Sequence, residues 1–263
     1  MARLEIFAKG NLDVRDTLLF QKLGNTLVWN GVNGILTGHH SCKARVKHET
    51  WTRSDALLES SGKIPEELTD RGLPLGPYPL SVQFGTSLFN SDADVFVLSI
   101  QPEICVRLVR HRRDGFLFFP YNRQAWKADQ LEWVGSSFID AKFLEPEESM
   151  ANLQKIIERI RARSNSPILI YNMSSFVPGE RIHCHAGLDG LFSTRVKRFN
   201  LALVELSRQM GISVIDVDRV LAEAGCARMM YDSVHLNENG CRAVAEEVVR
   251  VLQELGCLSG GTA

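Results

Sequence analysis

The chain has 263 residues, with 30 Lys and Arg against 31 Asp and Glu and a formal net charge of −1. That length suits one large domain or two small ones, and the balanced charge excludes the broad basic field used to capture nucleic acid. No run of about 18 apolar residues is present to span a membrane, Met1 to Gly10 lack the apolar stretch of a secretory signal, and six cysteines without a C-x-x-C pair read as free thiols, so a cytoplasmic protein is expected.

Leu4 to Ala8 reads as a short strand. Lys9 to Asp13 follows as a turn in which Gly10 permits close backbone approach, and Val14 to Leu23 has helical spacing. The Asn-Gly pairs between Leu27 and Gly34 are turn chemistry. Ala44 to His48 is a second strand with Glu49 to Ser54 as its C-terminal loop, and Asp55 to Ser60 opens a helix with Ser54 as N-cap. Ser61 to Leu80, rich in Pro and Gly, is an irregular excursion.

Asp94 to Ile100 is the clearest buried strand, a nearly continuous apolar run of the kind found in parallel sheets. Gln101-Pro102-Glu103 ends it. Ile104 to Tyr121 reads as a β-hairpin about Asp114-Gly115, with a basic first arm and an aromatic second arm. Basic residues beside stacking aromatics also occur in single-strand nucleic-acid binders; an accessory hairpin with a packed aromatic face and solvated arginines is the reading adopted.

Pro146 to Ser164 is an amphipathic helix, with Met150, Leu153, Ile156, Ile157 and Ile160 at helical spacing. Pro167 to Met173 is a strand ending at Ser174-Ser175. Gly187 to Met210 contains a helix with Leu201, Leu203, Val204 and Leu206 among its apolar residues. Ile212 to Val217 is the last strand, and a short helix follows from Asp218 to Ala224. A loop bearing Asp232 and His235 leads into a helix from Cys241 to Leu255.

This alternation predicts an α/β fold with a parallel sheet of about five strands and helices on both faces. In such a sheet functional residues gather at the C-terminal ends of the strands. Gly10 to Asp13, His48 to Ser54, Ser99 to Glu103, Ser174-Ser175 and Asp232 to His235 all fall at that edge. A carboxylate three residues before an imidazole can orient it, which is half of a Ser-His-Asp relay.

The run from Asp232 to Gly240 (Asp-Ser-Val-His-Leu-Asn-Glu-Asn-Gly) resembles the closing D-x-x-H block of the SGNH/GDSL hydrolase superfamily. The likeness runs from Leu4 to about Leu255. It implies a flavodoxin-like three-layer α/β/α sandwich, with His235 as catalytic base and Asp232 as its orienting acid. Residues 1–257 are expected to form a single domain with residues 104–121 as an inserted hairpin, and 258–263 a disordered tail. The family's Gly-Asp-Ser reads Gly10-Asn11-Leu12 here, so a leucine occupies the nucleophile's place. The glycine of the second block is absent from Glu49-Thr50-Trp51-Thr52. Gln101 stands where the third block has its oxyanion-hole asparagine, and a carboxamide can still donate there.

A leucine cannot attack a carbonyl. Ser54, Ser99, Ser174 and Ser175 are the alternative nucleophiles. Otherwise His235 acts as general base on a bound water or an acceptor alcohol or amine, with Gly10, Asn11, Asp13, Thr52, Arg53 and Gln101 contacting the substrate or oxyanion. The expected function is hydrolysis or transfer of an acyl group on a small ester, amide or related molecule. The alternative is a non-catalytic small-molecule-binding or scaffold protein. His39-His40-x-Cys42 and His183-Cys184-His185 contain metal-ligand residue types, but spacing places no third or fourth ligand, so no metal is assigned. No phosphate loop or G-x-G-x-x-G is present, and no cofactor is expected. The expected partner is a small-molecule substrate, with neither nucleic acid nor membrane; whether the chain pairs as a homodimer stays open.

Overall fold

The computed structural model describes residues 2–177, 180 and 190–258. The chain falls into two compact units. The first comprises Met1–His48, Asp92–Gln101 and Ser164–Ala263; the second comprises Glu49–Ser91 and Pro102–Arg163.

The first unit is built on a five-stranded parallel sheet flanked by helices. Its strands are β1 (Ala2–Lys9), β2 (Cys42–Glu49), β3 (Val95–Ser99), β4 (Ile168–Tyr171) and β5 (Ser213–Ile215). Their spatial order is β2-β1-β3-β4-β5, the flavodoxin order expected from the resemblance. Register is set by Ile6 opposite Val95, Ser99 opposite Tyr171 and Ile215 opposite Tyr171. All five residues of β3 are buried. It is a central strand covered on both faces, which is why its sequence does not alternate.

The period of two is visible in how the core divides. Leu4, Ile6, Ala8, Val95, Val97, Leu169, Tyr171 and Ile215 share one core with the helices on one face. Those helices are α1 (Leu12–Leu18), α2 (Asn33–His39), α4 (Val217–Ala224) and α5 (Glu238–Glu254), while α3 spans Phe192–Met210. Into that core α1 sends Val14 and Leu18, and α5 sends Val244, Val248 and Leu252. The core extends to Leu258. Among the described residues no helix is long and apolar enough to cross a membrane.

Two local expectations are corrected. The helix expected to run to Leu23 stops at Leu18, and Gln21–Leu23 instead pairs antiparallel with Thr26–Trp29. Gly24, with φ of +59°, makes that reversal. The Asn-Gly segment read as turns instead holds residues 27–29 of that second strand and the start of α2, Asn33 and Gly34.

The second unit carries a three-stranded sheet, in which Val109–His111 pairs with Leu117–Phe118 on one side and Phe138–Asp140 on the other. The hairpin is therefore present but shorter than expected, because Ile104 and Cys105 belong to the helical turn Gln101–Cys105. Phe118, Phe138, Trp126 and Trp133 pack behind it. Its basic arm is ion-paired: Arg110 meets Glu59 at 3.1 Å and Arg113 meets Asp114 at 3.0 Å. His111 lies between Glu67 at 2.9 Å and Asp114 at 3.2 Å. Among the described residues these three are the group whose ligand atoms lie close enough to share a metal. The guanidinium of Arg113 contacts both carboxylates and supplies the positive charge there.

The helix Pro146–Arg161 buries Met150, Leu153, Ile156, Ile157 and Ile160, as its spacing predicts. Glu103 is fully buried in this unit. It accepts from the Ser54 N–H at 2.6 Å, the Ser54 hydroxyl at 2.7 Å and the Ser149 hydroxyl at 2.8 Å. Burial, with the negative charge of Asp55 adding to it, pushes Glu103 up to about 7, against the pull of those donors.

Candidate functional site

In this strand order the direction of winding reverses between β1 and β3, so a crevice opens at their carboxyl ends. Gly10 to Asp13 and Ser99 to Gln101 flank that point. A Cβ on Gly10 would lie 2.5 Å from Val14 Cγ2 and 3.4 Å from Ser99 Cβ. Glycine there lets the turn fold down onto the first turn of α1.

Leu12 is the first residue of α1, at the place where the resemblance requires a nucleophile. One residue on, Asp13 ties the two strand ends together. Its carboxylate accepts from the Ser99 hydroxyl at 2.5 Å and from the Asn11 N–H at 3.2 Å. Burial raises Asp13 above the usual carboxylate range, against those hydrogen bonds. The Gln101 N–H in turn donates to Ser99 Oγ at 3.0 Å. Ser99 is thus fully buried, donating to one neighbour and accepting from another. The His48 Nε2–H donates to the Gly10 carbonyl at 3.0 Å, and burial holds its imidazole below the usual range.

The loop bearing Asp232 and His235 is closed on itself. Met230 bridges Leu236, and the Tyr231 N–H donates to the His235 carbonyl at 2.9 Å. Asn237 caps α5 by accepting from the Gly240 N–H at 3.1 Å. A Cβ on Gly240 would lie 2.2 Å from the Met229 carbonyl, so the glycine of the motif is required for the helix to start this close to the loop. Two carboxamides hold the loop from outside: Gln101 Nε2 donates to the Val234 carbonyl at 3.0 Å and Gln21 Nε2 to that of Leu236 at 2.8 Å. Through Gln101 the end of β3 is joined directly to the D-x-x-H loop.

Within the loop the Asp232 carboxylate lies 2.7 Å from His235 Nδ1. A carboxylate only accepts, so Nδ1 carries the proton and Nε2 is left as the basic nitrogen. The side chains of His235 and Asp232 are 42% and 53% exposed. Partial burial opposes ionisation of Asp232, but the N–H groups of Val234 and His235 and the imidazole hold it below the usual carboxylate range.

The other sequence candidates lie elsewhere or are engaged. Ser174 is buried and accepts from the Phe176 N–H at 3.3 Å, while the Ser175 N–H donates to Asp218 at 2.7 Å. Thr52, Arg53 and Ser54 belong to the second unit and are buried. Ser54 is not an N-cap: it lies inside the helix Ser54–Glu59, and its hydroxyl is committed to Glu103. Arg53 is held by Asp55 at 2.5 Å and by the Lys142 carbonyl at 2.9 Å. His39 and His40 end α2 while Cys42 is buried in the core. His183, Cys184 and His185 lie outside the described residues.

Asp16 was not apparent from the sequence. It sits three residues after Asp13 on the same face of α1, a spacing that would have marked it. Burial raises its carboxyl, opposed chiefly by Arg15 at 2.6 Å. Cys241, the other nucleophile type nearby, is pushed up to about 12 by burial and by Asp16 and Asp13, so its thiol stays protonated.

No protein-family model matches the chain, and no curated protein matches it. Solved structures do. An acetylxylan esterase from Geobacillus stearothermophilus is 12% identical with a TM-score of 0.53, over 94% of this chain and 93% of that one. An α/β hydrolase enzyme from the metagenome of Lake Arreo, Spain, is 14% identical with a TM-score of 0.52, over 99% of each chain. At such identities the likeness is one of fold. The flavodoxin-like α/β architecture expected from the sequence, a five-stranded parallel sheet flanked by helices, is the one this chain adopts.

Proposed function

We propose that this chain catalyses hydrolysis or transfer of an acyl group on a small ester, amide or related molecule, with His235 as general base and no serine nucleophile. The observation that carries this reading is the 2.7 Å contact between the Asp232 carboxylate and His235 Nδ1 on a half-exposed imidazole. That contact favours the tautomer whose Nε2 can accept a proton.

In the proposed step, Nε2 removes the proton of a bound water or an acceptor O–H or N–H as its heteroatom bonds to the acyl carbon. The bond to the leaving group then breaks, and the imidazolium returns the proton to that group. Asp232 stabilises the transient imidazolium. The Asn11 carboxamide and the second N–H of Gln101 Nε2 are the donors proposed for the developing oxyanion. Direct attack is favoured over a covalent route because Leu12 occupies the nucleophile's place and the hydroxyls of Ser99 and Ser54 are engaged.

The test compares wild type with His235→Ala on short acyl esters, with folding of both checked by thermal melt. Acetyl esters come first, since an acetylxylan esterase shares the fold. Loss of activity in a folded variant is expected. Exposure of the wild type to a fluorophosphonate should leave no covalent adduct on any serine by mass spectrometry; an adduct would overturn the non-covalent route.

A further inference from the structure

Helix α3 carries two apolar stripes. Phe192, Val196, Phe199, Leu203 and Leu206 are buried, as a core helix requires. Leu201 and Val204, expected from the sequence to be apolar members of the same helix, are instead 69% and 45% exposed. Three residues apart, they share a face.

Val204 forms one wall of a groove of about 970 Å³ whose lining includes Val214 of β5 and Val220 of α4. β5 is the last strand of the sheet. In a parallel ladder alternate residues direct both backbone groups to the same neighbour. The Ile215 carbonyl accepts from the Asn172 N–H at 3.2 Å, at the end of β4. The N–H and C=O of Val214 therefore point the other way, into the groove.

The opposite edge of the sheet is different. There β2 places Lys43, Arg45 and Lys47 at alternate, exposed positions. A row of cations on a strand is a common guard against edge-to-edge pairing. The β5 edge, Ser213-Val214-Ile215, carries no cation where that guard would be.

We propose that the β5 edge is where two copies of this chain pair, with Val214 antiparallel to Val214 of the partner subunit. About a two-fold axis the two residues exchange N–H···O=C bonds, which satisfies the one donor and one acceptor that β5 presents. A longer peptide strand would find no further partners on so short an edge. Leu201 and Val204 are covered in the same step. On the rim Arg219 pairs with Glu223 and Glu247, and Arg250 with Glu247, all within the one chain. A rim neutralised in this way does not repel a copy of itself, as a rim of one sign would.

The test is the mass of the full chain in solution by sedimentation or light scattering across a wide concentration range, together with amide exchange at Val214. The monomer mass is 29.5 kDa. Wild type is expected to sediment at twice that mass, with the Val214 amide protected. Leu201→Glu combined with Val204→Glu should raise the dissociation constant by about a hundredfold or more and leave the amide exchanging freely. Both sites are exposed in the single chain, so the fold is retained, and an unchanged thermal melt of dilute protein verifies it. Leu23→Glu, an exposed apolar residue on the separate hairpin, is the control that leaves the dimer intact. A wild type that stays monomeric, a dimer that survives the double change, or a dimer whose Val214 amide is unprotected would each overturn the proposal.

Discussion

The carboxylate of Asp232 binds His235 twice over, through its ring and through its backbone. Oδ2 lies 2.7 Å from Nδ1, while Oδ1 accepts the His235 N–H at 2.9 Å and the Val234 N–H at 2.9 Å. One side chain thus fixes both the path of the loop and the tautomer of the imidazole.

Replacing Asp232 by Asn keeps the shape but puts a donor where Nδ1–H needs an acceptor, which favours the other tautomer. On the proposed mechanism kcat/KM should fall by roughly a thousandfold or more, as for other carboxylates that orient a catalytic histidine. The thermal melt should fall modestly near neutral pH, where the ionised carboxylate is lost, and approach that of wild type in acid. The wild-type carboxylate lies below its ordinary range, so its contribution to stability is present above about 4 and is lost as the pH falls through its folded value. An acid titration of wild type against Asp232→Asn measures that difference, and identical acid limbs would contradict it.

Ser99 separates a structural role from a nucleophilic one. Ser99→Ala removes the hydroxyl that Asp13 accepts from and orphans the Gln101 N–H. A cost of about 1–3 kcal/mol is expected in denaturant unfolding, the usual penalty for leaving buried polar groups unmatched. Substantial activity should survive. Complete loss of activity with unchanged stability would instead mark Ser99 as the attacking group.

Gly10→Ala probes the turn. The new methyl would meet Val14, a stiff and fully buried side chain, at 2.5 Å. Because a β-branched residue cannot swing aside, the turn itself must move, at a cost of about 1–3 kcal/mol. The measurement is again the unfolding midpoint. A variant as stable as wild type would show that the strand end is looser than described.

Glu103 gives the second unit a pH dependence of defined sign. Its folded value, about 7, stands above the ordinary 4.5. The folded state therefore holds the proton more tightly than the unfolded chain, and stability contributed below about 4.5 is lost as the pH rises through about 7. The full span is on the order of 3 kcal/mol. Glu103→Gln, neutral at every pH, should unfold with little dependence between those values and exceed wild type in stability at pH 8. Parallel pH profiles for the two proteins would refute the assignment.

Much of this protein was legible in its residues. The nearly continuous apolar run Asp94 to Ile100 marks a strand buried on both faces, the Met and Ile stripe of Pro146–Arg161 marks a core helix, and the D-x-x-H spacing marks a pair that meets. Each depends on local periodicity or on residues a turn apart, which the chain itself dictates. Tertiary structure decided the rest. Helical spacing past Leu18 lost to a glycine turn whose strand is anchored by Gln21 on Leu236, 215 positions away. Ser54 left its expected capping role for a buried carboxylate 49 positions on, and Ser99 was committed to Asp13 across 86. Leu201 and Val204 carry the same apolar character as Leu203 and Leu206 yet face outward. Hydropathy says that a side chain favours burial, but which chain segment arrives to bury it, or to bond to a hydroxyl, is settled only when distant segments meet.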